Sequence, residues 1–208
     1  MKEIDDCPDG DYSPSYYDDI CNSEDDHASA EENEDSSQAQ NDQQDLYDWA
    51  KEHKLTDTTS KEEMRLQDNI TRAEIAKVIV SYINSLDSSQ AQNDTDNNDK
   101  CSSFTDLNQV NAELQSYIIK ACEYGLMGYY ADGETTKEKF FPNGDITRAE
   151  VVTIISRMLR GNTYKGTEEE RYQKHLLALK KENIIQTDRN PMEVELREYV
   201  FLMLYRVA

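Results

Sequence analysis

The 208-residue sequence carries 43 Asp and Glu against 22 Lys and Arg, a formal net charge of −21. It has no Lys/Arg-rich stripe, so nucleic acid is excluded as the main ligand, because phosphate binding requires clustered cations. An anionic membrane surface is excluded for the same reason. The longest apolar runs, at residues 75–83 and 200–207, are short and broken by Lys77 and Arg206, so no membrane insertion is expected.

The charge is unevenly placed. Residues 1–45 hold sixteen acids and one base, Lys2, and contribute −15, while the remaining 163 residues contribute −6. The opening hexapeptide Met1-Lys2-Glu3-Ile4-Asp5-Asp6 has no apolar segment and is not a secretory signal peptide. The chain is therefore expected to be either cytosolic or a trimmed form of an exported protein.

Residues 1–21 form an acidic loop bounded by Cys7 and Cys21, with two turn signals at Pro8-Asp9-Gly10 and Ser13-Pro14. Asp9, Asp11, Asp18 and Asp19 are a candidate Ca²⁺ set, since close carboxylates repel unless a cation sits among them. Their spacing matches no complete EF-hand loop, and solvated acids are the preferred reading. Residues 22–45 are Asp/Glu/Ser/Gln/Asn-rich and are expected to be a disordered spacer, with too little apolar area to offset ordering. The octapeptide Asp-Ser-Ser-Gln-Ala-Gln-Asn-Asp occurs unchanged at residues 35–42 and 87–94, flanking the first helical segment, and is read as copied linker rather than a binding motif.

Past Asp45 a helical period appears three times, and an all-α fold follows. The first unit, residues 46–86, places Leu46, Trp49, Ala50 and Leu55 on a short helix, then Ile75, Val78, Ile79, Tyr82, Ile83 and Leu86 on a second. A polar linker, residues 87–100, separates it from the second unit, residues 101–160. That unit presents Leu114, Tyr117, Ile118, Ala121 and Cys122 on one helix and Val151, Ile154, Ile155 and Met158 on the next. The third unit, residues 161–208, has Tyr172, Leu176 and Leu179, then Leu196, Val200, Met203, Leu204 and Val207. Three helix-connector-helix units can each bury a stripe against the others.

The pentapeptide Ile-Thr-Arg-Ala-Glu stands before the second helix of two units, at residues 70–74 and 146–150. Thr71 with Glu74, and Thr147 with Glu150, are predicted capping boxes, in which each side chain satisfies a backbone N–H of the helix start. Capping does not explain Arg72 and Arg148, because a cation at the first helical position opposes the helix dipole. Two readings stand even: recognition of an anion outside the helix end, or a structural pair such as Arg148 with Asp106 or Asp145.

Ile-Thr-Arg-Ala-Glu, preceded by Phe104-Thr105-Asp106-Leu107, Gly125-Leu126-Met127-Gly128, Asp132-Gly133 and Phe141-Pro142-Asn143-Gly144, resembles the S-layer homology domain. The resemblance covers residues 104–159. The first unit keeps Trp49-Ala50 and Thr-Arg-Ala-Glu but has residues 57–69 in place of the glycine-rich middle. The third has Leu196-Arg197-Glu198-Tyr199 where Thr-Arg-Ala-Glu would stand, and Asn190-Pro191 is read as an earlier cap for its last helix. The resemblance implies three repeats in a pseudo-threefold bundle, with inter-repeat grooves that bind peptidoglycan-linked secondary cell-wall polysaccharide, often bearing acidic pyruvyl groups. It gives Arg72 and Arg148 the role of carboxylate clamps and places Arg197 in a third groove. Asp106 would accept sugar hydroxyls or orient an Arg, and Trp49 or Tyr129 would stack on a sugar face.

The four cysteines allow three connectivities, of which Cys7 with Cys21 and Cys101 with Cys122 is the simplest; the alternative for Cys122 is a buried free thiol. The even count and the cell-surface resemblance favour disulfides. His27, His53 and His175 are isolated, and no metal-ligand, nucleophile-elbow or phosphate-loop spacing occurs. A non-enzymatic wall-anchoring module at the cell surface, with polysaccharide as partner and no required cofactor, is expected. The alternatives are a module that assembles with other cell-surface proteins, or a Ca²⁺-dependent adhesion or scaffold segment.

Overall fold

The computed structural model describes residues 36–86, 101–130, 132–164, 171–188 and 190–208. The Cys7–Cys21 pairing, the candidate Ca²⁺ set and the second octapeptide copy lie outside these residues. Ser37–Ala208 is one compact unit. Its helices are α1 (Ser36–Glu52), α2 (Arg72–Leu86), α3 (Ala112–Glu123), α4 (Arg148–Arg160), α5 (Arg171–Lys181) and α6 (Arg197–Val207), with a short 3₁₀ turn at Leu107–Gln109 before α3. Among the described residues the remaining regular structure is four isolated β-bridges.

Helix α1 begins at Ser36, inside the segment expected to be spacer, and ends at Glu52, so Leu55 lies beyond it. The added turns are rich in Gln, Ser and Asp with no Gly or Pro, so nothing in that stretch interrupts a helix. Leu55 is nonetheless buried, for a reason that recurs. The first helix of each repeat ends in a Schellman motif, in which a left-handed residue turns the chain and the next residue packs inward. Lys54 (φ 57°), Gly125 (φ 73°) and Asn183 (φ 58°) take the left-handed position. The N–H groups of Leu55, Leu126 and Ile184 then donate to the carbonyls of Ala50, Ala121 and Leu179, and all three hydrophobes are buried.

The helices pair between repeats. Helix α2 packs on α3, and α4 on α5. Helix α1 meets α6 through Trp49, whose ring stands edge-on to Tyr205 at 5.4 Å, and through Gln43, which donates to Glu198 at 3.1 Å. Helices α2 and α4 thus each pair with the first helix of the following unit, while α6 touches α1 through these two side-chain contacts. The continuous core includes Ile75, Ile79, Tyr82, Ile118, Ile155, Leu179 and Leu204, all essentially inaccessible.

The disulfide Cys101–Cys122 is present and ties the segment entering the second repeat to α3. Its sulfurs lie beneath Tyr129, whose hydroxyl is 3.7 Å from each and donates to the Cys122 carbonyl at 2.8 Å.

Candidate functional site

The starts of α2, α4 and α6 converge, and each is completed by the neighbouring repeat. Every helix begins with N–H groups that lack intrahelical partners. At α2 they go to the turn at residues 141–144: Arg72 N–H donates to Gly144 O at 3.0 Å and Ala73 N–H to Pro142 O at 2.9 Å. At α4 they go to the turn at residues 190–193, Arg148 N–H to Glu193 O at 2.9 Å and Ala149 N–H to Pro191 O at 2.8 Å. At α6 they go to the turn at residues 65–68, Arg197 N–H to Asp68 O and Glu198 N–H to Leu66 O, both at 2.9 Å. Each turn opens on a positive-φ residue, Phe141, Asn190 or Arg65, and closes with an N–H···O bond three residues on. Asn190-Pro191 therefore does not cap α6 earlier, as the sequence suggests. Helix α6 starts at Arg197 with Leu196 at the N-cap, while Asn190-Pro191 forms the turn that receives α4.

The side chains repeat the cycle. Arg72 Nη1 donates to Glu150 Oε1 at 2.6 Å and Nε to Phe140 O at 2.9 Å. Arg148 Nε donates to Glu195 Oε2 at 2.9 Å and Nη2 to Glu195 Oε1 at 3.3 Å, while Nη1 lies 3.6 Å from Glu193 Oε2. Arg197 Nη2 donates to Glu74 Oε1 at 2.8 Å. Each arginine of one repeat thus reaches a carboxylate of the next, which answers why a cation stands at the positive end of a helix. The partner of Arg148 is Glu195, with Glu193 nearby, rather than Asp106 or Asp145.

Both expected capping boxes form: Thr71 with Glu74 and Thr147 with Glu150 exchange hydrogen bonds in both directions. The same two glutamates receive Arg197 and Arg72. Burial opposes the ionisation of Glu150, but the Arg72 guanidinium and the Thr147 N–H outweigh it and hold the carboxyl below its ordinary range. Glu74 is lowered against the same opposition by the Thr71 N–H and Arg197. The third repeat has neither cap residue; Glu195, one residue before the Leu196 N-cap and wholly buried, takes Arg148 instead. That carboxylate raises the Arg148 pKa further above its ordinary value.

Three grooves open at these junctions, one on each arginine. The Arg72 groove is bounded by Tyr129, Lys137, Glu150, Arg157 and Tyr172. The Arg148 groove is bounded by Thr187, Glu193, Glu195, Tyr199 and Arg206. The Arg197 groove is bounded by Asp57, Glu63, Glu74, Lys77 and Glu113. Their volumes, about 320, 710 and 530 Å³, all suit a small ligand or a short sugar segment.

The other sequence-predicted residues lie elsewhere in the architecture. Asp106 is buried, and its two oxygens accept the N–H groups of Phe140 and Phe141 at 2.9 and 2.8 Å, fixing the turn that receives α2. Phe104 packs edge-on to Phe140 and covers Gly128, where a β-carbon would fall 2.5 Å from the Phe104 ring. Trp49 is buried among His53, Tyr82 and Tyr205, on α1 rather than in a groove. Tyr129 does border the Arg72 groove, with its hydroxyl turned onto the Cys122 carbonyl. Sequence reasoning missed Glu195, Lys137 and Arg157. Glu195 carries a signal in hindsight: it occupies the place of Ile70 and Ile146, where an acid has no reason to be unless a cation meets it.

A helical repeat module whose junctions form arginine-centred grooves is the class that this fold and site define. Residues 103–152, within the second repeat, match the family model of the S-layer homology domain. Domains of this family are cell-wall anchoring modules. No curated protein matches the sequence.

Proposed function

We propose that the chain anchors a protein to the bacterial cell surface non-covalently, as three S-layer homology repeats in a pseudo-threefold bundle that hold wall polysaccharide in the inter-repeat grooves. The observation that carries this reading is the recurrence of one groove design at all three junctions. Arg72, Arg148 and Arg197 each stand at a helix start, against a carboxylate of the next repeat. The family model matches residues 103–152, within the second repeat; the contacts between units extend the reading to the first and third.

A guanidinium carries five N–H donors, and the protein carboxylates orient it without exhausting it in the Arg72 groove. Arg72 uses Nε and Nη1 on Phe140 O and Glu150, which leaves the two donors of Nη2 for an acidic or hydroxyl-bearing sugar. Tyr129 and Tyr172 supply aromatic surface beside it. Asp106 and Trp49 then act as scaffold, holding the turn and the α1–α6 pair. The test is co-sedimentation with purified sacculi before and after the wall polymer is chemically stripped. Pelleting that disappears with the polymer is the expected result; equal pelleting on stripped sacculi contradicts polysaccharide recognition.

A second reading, assembly with other cell-surface proteins, is favoured by the full engagement of Arg148 by carboxylates. It predicts self-association or partner binding in light scattering without any wall present.

A further inference from the structure

The turn that receives α2 contains a reactive dipeptide. Asn143-Gly144 is the one Asn-Gly pair in the sequence; every other Asn is followed by a bulkier residue. Glycine is the neighbour that least obstructs attack of its own amide nitrogen on the asparagine side-chain carbonyl carbon. Asn143 is exposed to water. The corresponding turns, Arg65-Leu66-Gln67-Asp68 and Asn190-Pro191-Met192-Glu193, carry no such pair.

The same turn is restrained from several sides. Gly144 N–H, the nucleophile, donates to Phe141 O at 3.0 Å, and Asn143 Nδ2 donates to Gln109 O at 3.4 Å. Asp106 accepts the N–H groups of Phe140 and Phe141, and Arg72 Nε donates to Phe140 O. The carbonyls on either side of Asn143, those of Pro142 and Gly144, receive the Ala73 and Arg72 N–H groups at the start of α2. Closure of the junction between the first two units therefore fixes the segment in which cyclisation would occur.

We infer that Asn143 is a deamidation site gated by this junction, and that its isoaspartate product unlatches the junction. The inference does not depend on what the grooves bind. When the turn opens locally, the Gly144 nitrogen loses its proton to solvent and attacks Asn143 Cγ. A C–N bond forms, and the side-chain nitrogen leaves as ammonia. The cyclic imide then takes up one water, which opens it at one of its two carbonyls to give aspartate or isoaspartate. Isoaspartate routes the main chain through the β-carbon and so adds one carbon between the carbonyls of residues 142 and 144. The two carbonyls no longer match the spacing of the α2 start, and N–H groups there lose their acceptors.

The test incubates the full chain, folded and urea-unfolded, in mildly alkaline buffer, with peptide mass mapping and isoaspartyl methyltransferase labelling as readouts. Two hydrogen bonds must open together, so the folded chain is expected to convert at Asn143 about tenfold or more slowly than the unfolded one. Glu150→Gln, which removes the charge facing Arg72 across the junction, is expected to convert faster than the parent. The isoaspartate-bearing chain, isolated by ion exchange, is expected to melt about 2–4 °C or more below the parent. Asn143→Gln, which would need a larger ring to cyclise, is expected to keep its melting temperature through the same incubation. A folded chain that stays unmodified at position 143 while the unfolded chain converts overturns the site. Equal rates in folded and unfolded chains, or parent-like conversion of Glu150→Gln, overturn the gating, and an isoaspartate-bearing chain that melts with the parent overturns the unlatching.

Discussion

Glu195 shows how one residue takes over a role that the local pattern assigns elsewhere. In the first two repeats the glutamate that caps the helix also receives the neighbour's arginine. The third repeat has Tyr199 at that capping position, and Glu195 supplies the carboxylate from before the helix, with its side chain 1% exposed. The Tyr199 ring remains against Arg148, 5.9 Å from its guanidinium carbon. Arg148→Ala leaves Glu195 buried and uncompensated, a loss of about 3–5 kcal/mol. The melting temperature should then fall by roughly 6–20 °C for a chain of this size. Glu195→Gln keeps an acceptor for Arg148 and should cost less; a melting temperature unmoved by Arg148→Ala would show that the pair adds nothing to the fold. At Thr147 the expected loss on Thr147→Ala is about 1 kcal/mol, measured by urea unfolding.

At the scale of elements, the junctions between repeats make stability depend on pH. Glu74 and Glu150 titrate below their ordinary value of 4.5 in the folded protein. The stability they contribute is therefore fully present above that value and is lost as pH falls below it, because the unfolded chain takes up protons first. Urea unfolding between pH 6 and pH 3 should show the midpoint dropping in the acid range, and Glu150→Gln should flatten that drop. The α1–α6 pair makes a separate test: Trp49→Ala removes a buried ring at their contact and should cost about 3–5 kcal/mol. Reducing Cys101–Cys122, which encloses 21 residues of sequence separation, should cost about 3 kcal/mol by release of loop entropy. Thermal melts with and without a dithiol measure it.

Across the whole molecule, the sequence made the helical units legible because apolar spacing and capping boxes are local signals. Ile-Thr-Arg-Ala-Glu located the starts of α2 and α4 and marked Arg72 and Arg148 as residues that needed a partner. The identity of that partner was not legible, since Glu150, Glu195 and Glu74 are distant in sequence and meet the arginines only when the repeats close on one another. Trp49 and Asp106 were read toward a ligand because exposure cannot be read from residue type; Trp49 is buried by Tyr205 of α6, and Asp106 is held by two backbone N–H groups. The helix ends at Lys54 and Asn183 were hidden because their left-handed positions lack the glycine that marks Gly125. The start of α1 was missed because a Gln/Asp-rich stretch has the composition of a spacer while containing no helix breaker.

The overall charge of −21 belongs mostly to the residues before the helical unit, so it does not prevent local recognition of an anion at the Arg72 groove. Exposed charges are screened beyond about 8 Å at physiological salt. The most direct test of the account is calorimetric titration of the full chain with wall polysaccharide released from sacculi. Saturable binding that weakens with added salt is the predicted result. Absence of binding, or equal binding to the polymer after its acidic groups are removed, would contradict the account.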